Sequence, residues 1–240
     1  MASANLPIQL THFIGREREL ASLERILSTT RLVTLTGVGG CGKSRLAIQL
    51  AHQTSQAFSD GVWFAGLAAV SDPSLVPQSV IEALGLHLLT NQPPVEALKN
   101  YLQPRQLLLV LDNCEHLNLA CAELVQQLLS HAPDLRILAT SREPLAIVGE
   151  TIYPIVGLDC PSFSVDGGQT GQTPLTLHEF MEYDAIQLFV ARAHTLSPHF
   201  TLTAENALTV AAICQHLDGL PLALELASAR TNVLTVQEIA

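Results

Sequence analysis

Lysine is almost missing from this 240-residue chain, occurring only at positions 43 and 99. Charged residues of all kinds make up 14%, and 12 Lys and Arg face 22 Asp and Glu, a formal net charge of −10. Such a surface repels a polyanion unless its cations cluster, and no Lys/Arg cluster occurs, which argues against nucleic-acid contact by this segment. No apolar run reaches the roughly 18 residues needed to cross a bilayer. The opening MASANLPIQL lacks the basic region and apolar stretch of a secretion signal, so the chain reads as cytoplasmic, with no membrane partner. Its five cysteines, Cys41, Cys114, Cys121, Cys160 and Cys214, form no CxxC pair, which argues against a zinc site and a disulfide framework and leaves reduced thiols.

What is abundant is apolar surface. Hydrophobic residues make up 48% of the chain and mean hydropathy is +0.31, as in a packed globular protein. Short β-rich runs alternate with longer stretches of helical period, the pattern of a parallel sheet covered by helices. The expected strands are Leu32–Thr36, Val62–Leu67, Leu107–Asp112, Leu135–Thr140 and Ile152–Val156. Three of them (LVTLT, LLLVLD, LRILAT) are almost wholly apolar, as befits strands buried on both faces. Helices are expected at Glu17–Ser28, Lys43–Gln56, Leu75–Leu84, Val95–Leu102 and Ala120–His131.

After Val156 the character changes. PSFSVDGGQTGQTP (Pro161–Pro174) has almost no apolar content and predicts a mobile loop. Beyond it only helical periodicity remains, at Glu182–Thr195, Ala204–Leu217 and Pro221–Ala229. The fold class is therefore α/β, with a five-stranded parallel sheet between helices over residues 1–158, a flexible linker over 159–176 and a small all-α domain over 177–240. Thr235 and Glu238 form a capping-box start for a helix with no room before Ala240. That predicts a helical domain truncated on its C-terminal side, in a fragment of a longer protein.

GVGGCGKS (Gly37–Ser44) fits GxxxxGK[ST], following an expected strand and opening an expected helix. Glycines at 37, 39, 40 and 42 let successive N–H groups, with that of Cys41, turn toward phosphates, and the helix N-terminus adds a favourable field. Lys43 neutralises the β- and γ-phosphates, the Ser44 hydroxyl takes one magnesium position, and Arg45 follows directly. The apolar run LLLVLD delivers Asp112 to the carboxyl end of a strand, where it can hold the same magnesium. Proteins that hydrolyse ATP often place a carboxylate base next; here that residue is Asn113, which cannot accept a proton. Glu115 either orients the attacking water or begins the next helix, and His116 reads as structural. Arg142, one strand later in LRILATSREP, either contacts the γ-phosphate or is an ordinary surface arginine.

The ordered set FIGRE (Phe13–Glu17), GVGGCGKS, LLLVLDN, TSR (Thr140–Arg142) and GLPLA (Gly219–Ala223) resembles the signal-transduction ATPases with numerous domains (STAND), most of all their NB-ARC-like branch. The resemblance covers about Leu6 to Ala240. It implies a P-loop domain of a bacterial multidomain regulator with ATP or ADP and magnesium bound where the α/β and helical domains join. It further implies that Phe13, Ile14, Gly15 and Arg16 lie by the adenine, and that Pro221 packs on the base or ribose. For Pro221 a plain helix start remains open, as a loop does for Gly15 and Arg16. Family members commonly carry an acid where this chain has Asn113, so the departure implies slow hydrolysis.

The function so implied is an adenine-nucleotide switch with slow magnesium-dependent ATP hydrolysis, self-associating in the ATP state. Its sensor and effector modules would lie outside this chain. The alternatives are a constitutive AAA-type motor or remodeller, which needs a clear catalytic carboxylate, and a small-molecule kinase, which needs an arginine-rich lid. Neither feature is evident.

Overall fold

The computed structural model describes residues 5–87, 92–161 and 175–240. In chain order the elements of the first part are α1 (Glu17–Thr29), β1 (Leu32–Thr36), α2 (Lys43–Thr54), β2 (Val62–Gly66), α3 (Val76–Ala83), α4 (Pro94–Leu102), β3 (Leu108–Asp112), α5 (Asn118–His131), β4 (Arg136–Ser141) and β5 (Glu150–Pro154). The five strands form one sheet in the order β2-β3-β4-β1-β5, and every pairing is parallel.

Strand alternation sorts the core into two faces. Leu109, Leu111, Ile137 and Ala139 point into a cluster with Val80, Ile81, Leu98, Leu102, Val125 and Leu128 from α3, α4 and α5. Leu108, Val110 and Leu138, equally buried, alternate toward the opposite face; α2 packs against β1, β3 and β4, and α1 packs against α2. Truncating one of these leucines to alanine costs about 2–5 kcal/mol. β5 begins at Glu150 rather than Ile152, because it enters the sheet straight after a turn at Gly149 (φ 86°) and pairs Glu150 with Leu32. As an edge strand it keeps one side open, which tolerates the polar Glu150 and Thr151.

A second compact unit gathers Phe13–Arg16, Gly40–Gly42 and the chain from Val156 onward. Its described helices are α6 (Leu177–Phe180), α7 (Asp184–Leu196), α8 (Ala207–His216), α9 (Pro221–Ser228) and α10 (Val236–Ile239). Phe189, Ile186, Val210, Ile213 and Leu224 form its core, with Phe200 meeting Phe189 edge-on at 6.1 Å between centroids. Residues 162–174, where the composition predicts a loop, lie outside the described residues.

Two short helices depart from expectation, and the same device explains both. α10 forms although only a single turn is available, and α6 has no counterpart in the periodicity. In each, a capping box (Thr235 with Glu238, Thr176 with Glu179) satisfies the first-turn donors locally, so one turn closes without a long apolar face.

Candidate phosphate-binding site

β1 is buried along its whole length and delivers Gly37 to the carboxyl edge of the sheet, where ligands of open α/β folds bind. The loop then needs glycine twice for stated reasons. Gly40 and Gly42 have φ of 80° and 95°, values that L side chains resist. A Cβ on Gly40 would also stand 3.1 Å from Leu222 Cβ. α2 opens at Lys43, so the unpaired N–H groups of its first turn, Ser44 among them, belong to this loop. Lys43 is buried, and its ammonium donates to the carbonyls of Gly37 at 2.8 Å and Val38 at 3.0 Å. Those are neutral acceptors, and a phosphate oxygen is a stronger, charge-assisted one.

Asp112 ends β3 at the same edge, and Thr140 holds it there. The Thr140 hydroxyl, 1% exposed, donates to Asp112 Oδ1 at 2.6 Å and accepts the Asn113 N–H at 2.9 Å. Thr140 O accepts the Cys114 N–H at 2.9 Å. One threonine thus locks the end of β3 to the end of β4. Asn113 sits at φ 68°, a left-handed conformation that Asn tolerates better than most side chains. Its amide lies 3.3 Å from His116 Nδ1, while His116 Nε2 lies 2.7 Å from Val70 O. An imidazole protonated on Nε2 satisfies both contacts, so His116 is a structural residue. Behind it, the hydrogen bond with Cys121, followed by burial, pushes the Cys114 thiol above its ordinary value. That favours a neutral sulfur, not a metal ligand.

Glu115 opens a 3-10 turn, Glu115–Leu117, ahead of α5. Its Oε1 lies 3.2 Å from Arg142 Nε, and its Oε2 is enclosed with no hydrogen-bond partner. Arg142 is 65% exposed, and its terminal Nη2 lies 3.6 Å from where a Cβ on Gly39 would stand. The arginine therefore lies along the phosphate loop.

In the helical unit, Gly15 (φ 73°) has no room for a side chain, since a Cβ would collide with the Asp184 carboxylate at 2.2 Å. Arg16 follows at φ 64°, its N–H donating to Asp184 Oδ2 at 3.0 Å. The Arg16 guanidinium is buried and donates to Cys41 O at 2.8 Å and Val156 O at 2.7 Å. It braces the phosphate loop from behind. Leu222 N–H donates to Gly40 O at 3.2 Å, and Pro221 Cγ lies 3.6 Å from the Cβ position of Gly42. Ile14 packs on the helical core, and Phe13 beside it is half-buried. Arg45 turns away from the loop, donating to Thr11 Oγ1 at 2.9 Å and His12 O at 3.2 Å.

Residues 25–150 match the AAA domain family. The chain belongs to that family. An uncharacterized protein of Mycobacterium tuberculosis is 42% identical over 230 residues, 96% of this chain and 53% of its own length. A predicted HTH-type transcriptional regulator of the same organism is 39% identical over 218 residues, 91% of this chain and 22% of its own length. The chain thus spans about half, or less, of the curated relatives it matches. In fold it resembles the STAND protein with a tetratricopeptide repeat sensor from Pyrococcus horikoshii, at a TM-score of 0.57 and 14% identity over 92% of this chain and 30% of that one.

The residues of this AAA domain fit a nucleotide's phosphates with a divalent cation. The loop admits no Cβ at Gly40, its lysine has only neutral partners, and Asp112 is braced at the sheet edge beside it. Among the described residues no group of three or more His, Cys, Asp and Glu could hold a metal by itself. The chemistry then suits magnesium, which takes one carboxylate, a hydroxyl such as that of Ser44, and phosphate oxygens. No helix among the described residues is long and apolar enough to cross a membrane. Two residues escaped the sequence reading: Thr140 as the brace of Asp112, and Leu222 as a donor to the loop. A hydroxyl ending an apolar strand was the available signal for the first; nothing local signals the second.

Proposed function

We propose that this AAA domain is an adenine-nucleotide switch that binds ATP or ADP with magnesium and hydrolyses ATP slowly. The observation that carries the reading is the connection of the phosphate loop to the helical unit, through Leu222 N–H on Gly40 O and Arg16 on Cys41 O. A loop held by α9 and by the FIGRE segment cannot change its grip on phosphate without moving what holds it, and that differential contact is what a switch requires.

The residues divide the work as follows. Lys43 leaves its carbonyl partners for the β- and γ-phosphates, the first-turn N–H groups of α2 orient those phosphates, and Ser44 and Asp112 would hold magnesium. Magnesium, when bound, neutralises charge developing on the transferred phosphoryl group. Arg142 supplies a second cation along the loop at Gly39. Slow turnover is supported by the absence of a free carboxylate after Asp112: Asn113 turns its amide to His116, and Glu115 is engaged by Arg142. Phe13, Ile14 and Pro221 are proposed on the base side of the nucleotide.

The regulator-like relatives support a role in signalling or transcription within a longer protein, with self-association in the ATP state and with sensor and effector modules outside this segment. The test is calorimetry of Mg-ATP and Mg-ADP on wild type and Lys43→Ala. Losing a charge-assisted contact of about 1.5–3 kcal/mol lowers affinity about 10-fold to 150-fold. Unchanged affinity would refute the cradle. Turnover at tens per second would favour the motor instead.

A further inference from the structure

We infer that Glu115 is a positioning residue for Arg142, setting the preference of this domain for nucleoside triphosphate over diphosphate. The inference rests on the nucleotide reading above and adds to it a role for Glu115 distinct from that of a base.

The geometry is specific about which end of the guanidinium is used. Glu115 Oε1 meets Arg142 at Nε, 3.2 Å away, and the outer Nη2 reaches to 3.6 Å from the Cβ position of Gly39 on the phosphate loop. The carboxylate thus occupies the inner edge of the fork and leaves the outer edge to an anion on the loop. Arg142 is 65% exposed and Glu115 only 21%, so the anchor is the fixed partner and the arginine the mobile one. Glu115 is fixed because it opens the turn Glu115–Leu117, whose start is tied to β4 by Cys114 N–H on Thr140 O. Its second oxygen, enclosed and without a hydrogen-bond partner, contributes no competing contact.

An untethered arginine loses rotamer freedom when it grips a phosphate, at about 0.5–1.5 kcal/mol for one immobilised side chain. Pre-ordering through Nε removes part of that loss. Because Arg142 is directed at the terminal phosphate, the gain falls on the triphosphate. An exposed ion pair of this kind is otherwise worth little to stability, so its effect is read in selectivity.

The experiment is the ratio of ADP to non-hydrolysable ATP-analogue dissociation constants, measured with magnesium for wild type, Glu115→Ala, Glu115→Gln, Arg142→Ala and the Glu115→Ala/Arg142→Ala double variant. Glu115→Ala should lower the triphosphate preference about threefold to tenfold, the range set by that ordering loss. Glu115→Gln, which keeps an acceptor for Nε, should fall between wild type and Glu115→Ala. The double variant should match Arg142→Ala. If Glu115 acted only as a negative charge near the phosphates, its removal would raise triphosphate affinity equally with or without Arg142, and the inference would be overturned. Independent, additive losses in the double variant would overturn it too. Wild type that binds ADP but shows no triphosphate preference sinks this inference alone, whereas wild type binding neither nucleotide sinks the nucleotide reading with it.

Discussion

Replacing Thr140 by valine keeps the shape of a buried side chain and deletes one hydroxyl, so it isolates what that hydroxyl holds. Two bonds go at once: the donation to Asp112 Oδ1 at 2.6 Å and the acceptance from Asn113 N–H at 2.9 Å. The first is a bond to a charged group, worth about 1.5–3 kcal/mol, and the orphaned N–H adds about 1–3 kcal/mol if nothing replaces its partner. Asn113 is half-buried, so water recovers part of the second, and a net loss of about 2–4 kcal/mol is expected. For a domain of this size that lowers Tm by about 5–15 °C. Thr140→Ser, which keeps the hydroxyl and drops a methyl group, should cost about 1 kcal/mol. Chemical denaturation of the three proteins supplies the stabilities. Calorimetry with and without magnesium supplies the second readout, in which Thr140→Val alone should weaken the magnesium-dependent part of nucleotide binding, because Asp112 is no longer fixed. Valine and serine variants equal in both measurements would refute the account of Thr140 as the brace of the metal-binding carboxylate.

Gly40→Ala should lose about 1–2 kcal/mol of stability and weaken nucleotide binding, because φ of 80° and the 3.1 Å approach of Leu222 Cβ both oppose a Cβ; wild-type behaviour in a thermal melt and a titration would contradict this. Arg16→Ala should cost about 2–4 kcal/mol, since it leaves the Cys41 and Val156 carbonyls without their charged donor in a buried setting, and Arg16→Lys should not restore them both, a result checked by denaturation. The isolated domain should hydrolyse ATP well below the typical enzyme rate of about 10 per second, as a steady-state phosphate-release assay would show. Cys160 should alkylate on the order of 100-fold more slowly than a free thiol at pH 8, because burial, with the Asp159 and Asp218 charges, pushes it up to about 11 and only the thiolate reacts; equal rates by mass spectrometry would count against that burial.

Most of the sheet was legible because its information is local. LVTLT, LLLVLD and LRILAT carry enough β-branched and leucine content to be strands on composition alone, and they are the central strands, where both faces are buried. The edge strand β5 was misplaced for the complementary reason: an edge position relaxes the apolar requirement, so Glu150 and Thr151 gave no signal. α6 and α10 were missed or discounted because a single capped turn has no period to detect. The phosphate loop was legible since its glycines answer to backbone conformation and its lysine to charge, both of which are properties of the residue itself.

The partners of that loop were not legible, since they arrive from distant positions. Arg16 reads in the sequence as a residue near the base, yet its guanidinium is spent on the carbonyls of Cys41 and Val156. Asn113 shows the point most sharply. Read as a letter, it is a missing acid, and slow hydrolysis follows from its amide. Read in the fold, it occupies a left-handed backbone site at φ 68°, where Asn is among the better side chains, and its amide meets His116. The two readings lead to different expectations for Asn113→Asp. As a degraded catalytic site it should gain turnover. As a backbone position whose side chain faces His116, it should gain little, because the new carboxylate would pair with His116 and Glu115 would remain committed to Arg142. The structure favours the second outcome, and a rise of more than about tenfold in turnover would show that the side chain can leave His116 and reach the attacking water.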